Sequence, residues 1–220
     1  MTDRSDLVIE TFPIGTLGCN CSLIYSNVTR ESLVIDPGND LNTFLKQIHD
    51  RGLKVKKLIH THAHFDHIGR SHDIKQTLGC TLELHKEDLE LYQALEHQGL
   101  IFGMEVGKPG HVDHFFEDEE PIGIESEGLQ NLLKTIHTPG HTPGSCCFFA
   151  EDLDTPILFS GDTLFKGSIG RTDLPGGDFD QIMISLKRKI INLPDETIVI
   201  SGHGPKTKIA LEKKQNPFLI

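Results

Sequence analysis

Apolar residues fall in short runs along this chain, each closed by turn-forming residues and most of them too brief for helices. Runs at 7–12, 22–26, 32–36, 55–59, 81–84, 132–136, 145–149, 157–159 and 197–200 read as strands. Amphipathic stretches between them predict helices over 41–51, 68–78, 87–97, 179–190 and near 208–214, several ended by Gly or Pro. Strands that come early and late, with helices interleaved, predict two sheets packed face to face with helices outside, an α/β sandwich. At 220 residues, one compact domain over 1–220 is expected.

Two segments do not fit the alternation. Residues 99–123 carry several glycines, two prolines and the acidic run 117–120, which suits either a lid or a solvated insertion. The second, 161–177, is Gly-rich and includes Lys166 and Arg171. No stretch approaches the ~20 apolar residues of a membrane span. The polar start lacks a signal-peptide core, so a cytoplasmic location is expected. Cysteines number 5, and the adjacent Cys146 and Cys147 would face opposite sides of a strand, which argues against a disulfide framework. A net charge of −11 with no long basic run argues against a nucleic-acid partner.

Histidine changes the picture. Of 13, three lie with a carboxylate in His62-Ala63-His64-Phe65-Asp66-His67, directly after the apolar run ending at Ile59. In extended chain, side chains two apart face the same way, so His62 and His64 can grip one ion. A bend into the following helix can aim Asp66 and His67 at a second point. Neutral imidazole with carboxylate is a ligand set for Zn²⁺ or Fe²⁺. His141 stands between Pro139-Gly140 and Pro143-Gly144, Asp162 follows Ser160-Gly161, and His203 is flanked by Gly202 and Gly204. Each of these three alone suits a turn histidine or a capping aspartate; together they place a ligand type at the end of a strand each time. Asp36, in Asp36-Pro37-Gly38, suits a plain β-turn or a residue orienting the ligand loop.

The string His62-x-His64-x-Asp66-His67, followed by His141, Asp162 and His203, resembles the metallo-β-lactamase superfamily over nearly the whole chain. That resemblance implies an αββα sandwich, a first metal on His62, His64 and His141, a second on Asp66, His67 and His203, and Asp162 bridging them. It also implies that Asp36 orients the ligand loop. Two divalent ions, zinc above all with iron or manganese also able to fit, would leave a cationic pocket around a metal-bound hydroxide, with Asp66 and Asp162 as the catalytic carboxylates. The residues 159–165 and 170–177 and the ending from Gly202 to Phe218 are similar to glyoxalase II, hydrolase of S-(2-hydroxyacyl)glutathione thioesters, in its short bacterial branch without the C-terminal helical domain. Asp162 stands where the main zinc class of β-lactamases has cysteine, which argues against antibiotic hydrolysis. Arg171 falls where glyoxalase II binds the glutathione glycine carboxylate; its other reading is a pair with Asp173 or Asp178. An anionic small molecule, a glutathione thioester, is therefore the expected partner, with no nucleic acid and no membrane. Alternatives within the superfamily are a persulfide dioxygenase with one iron, a lactonase and a nuclease. Cys19, Cys21 and Cys80 show no ligand-like neighbours in the sequence.

Overall fold

The computed structural model describes residues 4–126 and 128–220. Its first half builds one six-stranded sheet in chain order: β1 (Leu7–Ile14), β2 (Cys19–Ser26), β3 (Glu31–Ile35), β4 (Lys54–Ile59), β5 (Thr81–His85) and β6 (His114–Phe116). Neighbours are antiparallel from β1 to β3 and parallel from β3 to β6. Between β3 and β6 lie the helices: α1 (Leu41–Arg51), α2 (Phe65–Ile68), α3 (Ser71–Leu78), α4 (Leu89–Gln93) and α5 (Leu95–Phe102).

The second half builds the other six-stranded sheet from β7 (Pro121–Ile122), β8 (Leu133–His137), β9 (Cys146–Ala150), β10 (Ile157–Gly161), β13 (Ile198–Ser201) and β14 (Thr207–Lys208). A small hairpin, β11 (Leu164–Phe165) with β12 (Ser168–Ile169), follows β10, and α6 (Phe179–Ser185) and α7 (Ile209–Gln215) complete the half. The order across this sheet is β14-β13-β10-β9-β8-β7, with β10 and β13 parallel.

Why the strands read as continuous apolar runs is visible in the layers. Ile24, Leu33, Ile35 and Ile59 meet Leu133, Phe148, Phe159 and Ile200 between the sheets. Their chain neighbours Leu23, Val34 and Leu58 point the other way, against Phe44 and Ile48 of α1 and Ile74 of α3. Phe149, Leu158 and Val199 do the same on the far side, against Ile182 of α6 and Ile209 of α7. Both faces of each sheet are covered, so period-two alternation survives only as inner and outer apolar positions. The result is the expected αββα sandwich. Cys146 and Cys147 divide accordingly, one between the sheets and one beneath the helices, and the five cysteines Cys19, Cys21, Cys80, Cys146 and Cys147 are free and buried.

Several expected helices are corrected. The one over 68–78 is two, α2 and α3, separated at Gly69, where a Cβ would meet the Phe65 carbonyl oxygen at 2.1 Å and Asn39 Oδ1 at 2.4 Å. The helix over 87–97 is a 3-10 turn (Lys86–Asp88), then α4, then α5, with the break at Ala94. The segment 99–123 begins inside α5 and ends as the crossing between the sheets, supplying their edge strands β6 and β7. Main-chain bonds from Gly107 N to the Gly69 carbonyl (2.8 Å) and from Asp113 N to the Leu82 carbonyl (2.8 Å) hold it against the first half.

Candidate metal centre

The strands β8, β10 and β13 run the same way in the second sheet, and the loops leaving their C-terminal ends carry His141, Asp162 and His203. Facing them, the loop leaving β4 carries His62 and His64, and α2 turns Asp66 and His67 toward the same place. All seven converge. Donor atoms of His62, His64 and His141 lie within 4.8 Å of one another, as do those of Asp66, His67 and His203, and those of His62, His67 and Asp162.

Their contacts are those of a shared cation. His64 Nδ1 faces His141 Nε2 at 3.0 Å and His67 Nε2 faces His203 Nε2 at 3.2 Å. Asp66 Oδ2 is 3.0 Å from His203 Nε2, while Asp162 lies 3.5 Å from His67 and 3.7 Å from His141. Two ligands on one tetrahedral Zn²⁺ at about 2.0–2.1 Å would be about 3.3 Å apart. One N–H···N hydrogen bond can close a pair at this distance, but His67 and His203 each commit Nδ1–H elsewhere, to Asp36 and to the Leu17 carbonyl, so their facing Nε2 lone pairs need a cation or a proton between them. His62 Nε2 and Asp162 Oδ1 are buried without any hydrogen-bond partner, which costs free energy unless a metal takes them up. The residues present therefore fit a pair of metal ions.

For His62, His67, His141 and His203 the outer nitrogen explains the aim of the ring. Asp36 Oδ2 takes His67 Nδ1–H (3.0 Å) and the Thr61 hydroxyl (2.6 Å), while Asp36 Oδ1 takes Thr61 N–H (2.8 Å). With its own proton committed to Asp36, the Thr61 oxygen accepts from His62 Nδ1 at 3.1 Å, which turns His62 Nε2 inward. His141 Nδ1 donates to the Arg171 carbonyl (2.7 Å), and His203 Nδ1 to that of Leu17 (3.1 Å). These bonds fix tautomer and orientation before any ion arrives. Asp36 thus holds the ligand loop, at a positive φ of 51°.

Space is shaped by glycine as well. At Gly202 a Cβ would meet Asp162 Oδ1 at 2.1 Å and His67 Cε1 at 2.7 Å. Burial, with repulsion from His141, lowers His64 to about 3, and burial with the neighbouring histidines holds His62 well below the usual range, so both stand ready as neutral ligands. Burial also acts to lower His67, but the carboxylates of Asp66, Asp162 and Asp36 outweigh it and hold His67 above the ordinary value. His62, His67 and His141 are enclosed, whereas the Asp66, Asp162 and His203 side chains keep 15%, 14% and 26% of their surface, so the centre opens on their side.

Two expectations change. Cys19 does have a ligand neighbour: its Sγ lies 3.5 Å from His67 Nδ1, and burial pushes the thiol up to about 12. Arg171 forms the pair foreseen as its other reading, a two-pronged bond to Asp173 at 2.7 and 2.8 Å, while its main chain holds His141. Sequence reasoning missed Thr61, whose polar groups tie His62 to Asp36; a small hydroxyl residue next to the first ligand was the only signal.

The family description "Metallo-beta-lactamase superfamily" matches residues 14–203. Among curated relatives, a probable metallo-hydrolase, YqgX of Bacillus subtilis, is 36% identical over 94% of this chain and 95% of its own length. The hydroxyacylglutathione hydrolase GloC of Haemophilus influenzae is 35% identical over 96% of this chain and 97% of its own. Among solved structures, the BLEG-1 B3 metallo-beta-lactamase superposes with a TM-score of 0.86 at 34% identity, covering 96% of this chain and 99% of that one. TTHA1623 in a di-iron-bound form gives 0.85 at 34% identity, over 96% and 100%. A family match across most of the chain, relatives above 30% identity along their whole length, and a shared fold carry one conclusion: this chain belongs to the metallo-β-lactamase superfamily and is a metallo-hydrolase of that group.

Proposed function

We propose that this chain is a dinuclear hydrolase of thioesters such as S-(2-hydroxyacyl)glutathione, with His62, His64 and His141 holding one ion, Asp66, His67 and His203 the other, and Asp162 shared. The observation that carries it is the convergence of all seven donors at one opening. Two divalent ions there would lower the pKa of bound water to about 7 and polarise a carbonyl oxygen. Asp66 and Asp162 stand at the open side; we assign them to receive the proton that attacking water releases as its oxygen bonds to the acyl carbon and, once the C–S bond breaks, to return it to the departing thiolate, so that a free acid and a thiol leave. No protein nucleophile is needed, and the buried Cys19 thiol stays protonated. The enclosed histidines exclude water from the inner side.

For the substrate, support comes from the likeness to GloC along the chain and from Arg171 in the loop after Asp162. Its guanidinium is more than half exposed, and its pair with Asp173 is of the exposed kind worth about 0–1 kcal/mol, so a substrate carboxylate can take the fork over. The likeness to a B3 lactamase makes β-lactams the competing substrate class. A hydrolysis screen of glutathione thioesters, lactones and β-lactams, with metal analysis of the same sample, tests the reading. Thioester turnover with two metals per chain is expected. Preference for a β-lactam or lactone would overturn the substrate, and a single iron with oxygen consumption would favour the persulfide dioxygenase reading.

A further inference from the structure

Outside the ligand set, two buried polar side chains from one segment converge on Ala63, the residue between His62 and His64. Asp88, at the end of the 3-10 turn, is fully enclosed, and Gln98 of α5 keeps 7% of its surface. Asp88 Oδ2 accepts Ala63 N–H at 2.8 Å, and Gln98 Nε2 donates to the Ala63 carbonyl at 3.1 Å. Gln98 Oε1 also accepts Phe65 N–H at 3.0 Å, and its Nε2 is shared with the Leu91 carbonyl at 2.8 Å. Both peptide groups between the two ligands, one on each side of Ala63, are therefore held by side chains, and neither can rotate without leaving a buried polar group unpaired.

Asp88 reaches further. Oδ2 also accepts the Thr142 hydroxyl at 2.8 Å, and Oδ1 accepts Gly144 N–H at 2.6 Å. Thr142 follows His141 directly, and Gly144 lets the loop come this close, since a Cβ there would lie 2.7 Å from Asp88 Cγ. One carboxylate thus ties the first sheet's His62-Ala63-His64 to the second sheet's His141. The two histidines of the other set hang elsewhere: His67 on Asp36 and, through its carbonyl, on Gly38 N–H at 2.9 Å, and His203 on Leu17.

We infer that Asp88, with Gln98 steadying the next peptide groups along the ligand loop, is the positioning residue that assembles the three-histidine ion site across the seam between the sheets. This rests on the dinuclear reading above. Asn cannot replace Asp88: the two main-chain donors approach different oxygens, so the amide nitrogen would face an N–H in either orientation. Residues that orient ligands from behind are typically worth about 10–100-fold in metal affinity.

The test is Zn²⁺ competition against a chromophoric chelator, on the full chain. Wild-type stoichiometry comes first; a chain that binds fewer than two Zn²⁺ overturns the dinuclear reading and this inference with it. Asp88→Asn is then placed in two backgrounds, His203→Ala, which keeps the three-histidine site, and His141→Ala, which keeps the other. A loss of about 10-fold or more in the first background and less than about 3-fold in the second is expected. Equal losses in both would mark Asp88 as general support for the fold, and no loss in the first would remove its role; either overturns the inference. Thr142→Val deletes one donor to Asp88 with little change of shape. It should show the same preference at a smaller size and decides the matter if Asp88→Asn does not fold.

Discussion

Arg171 shows how one residue can serve a site twice. Its carbonyl accepts from His141, a duty any amino acid could perform, while its exposed guanidinium is spent on Asp173. Arg171→Ala should therefore leave the metals in place and raise KM for a glutathione thioester by about 10-fold, the scale of a charge-assisted contact of ~1.5–3 kcal/mol, with kcat little changed. A neutral thioester should be almost unaffected, and Asp173→Ala, which frees the fork, should lower KM for the anionic substrate. Steady-state kinetics on both substrates reads this, and equal losses on the two would assign Arg171 to the loop alone. At His203 the expectation is harsher. Its Nε2 sits 3.0 Å from Asp66 and 3.2 Å from His67, so His203→Ala should release one ion of two and lower turnover by orders of magnitude, as metal analysis with kinetics would show.

The elements that matter most are the turns after strands. Gly202 closes β13 against Asp162 and His67 with no room for a methyl group. Gly202→Ala should displace both ligands and weaken metal retention by about 10-fold or more in dialysis against chelator, on the scale of lost ligand positioning, whereas Gly52→Ala, at a helix end with open space around it, should cost only a backbone penalty of about 1 kcal/mol. These turns were legible in the chain because each ligand lies within two residues of a glycine or proline, or in a string with spacing two. The helix α1 was equally plain, from Asp40 at its start to Gly52 at its end. What could not be read was interaction over distance. Nothing in the spacing of Asp88 or Gln98 links them to Ala63, 25 and 35 residues away, and each looks like one more polar residue of an amphipathic helix. The breaks at Gly69 and Ala94 escaped notice for a related reason: apolar periodicity runs through them, and only packing interrupts the helix.

At the scale of the molecule, the centre lies across a seam. His62, His64, Asp66 and His67 belong to the first sheet's half and His141, Asp162 and His203 to the second, so an ion held there would be bonded to both. Binding to the native state alone stabilises it by about 2.7 kcal/mol for an ion present at 100 times its Kd, more for tighter sites. Removing metal should therefore lower Tm by about 5 °C or more for a chain of this size, and re-addition of Zn²⁺ should restore it, in a calorimetric scan. An unchanged Tm would mean the interface between the sheets needs no ion.

Each sheet is drawn from one uninterrupted stretch of chain, 7–116 and 121–208, with a single crossing between them. A covalent link there is a convenience of synthesis rather than a part of either sheet. Cut after Glu117 and expressed as separate polypeptides, the two pieces should each be unable to cover their inner apolar face alone, yet reassociate when mixed, because Phe116, Ile59 and Ile35 still match Leu133, Phe148 and Phe159. Every complete ligand set draws on both pieces, so hydrolytic activity would report reassembly, and zinc would act as the clasp that makes fragment complementation dependent on metal.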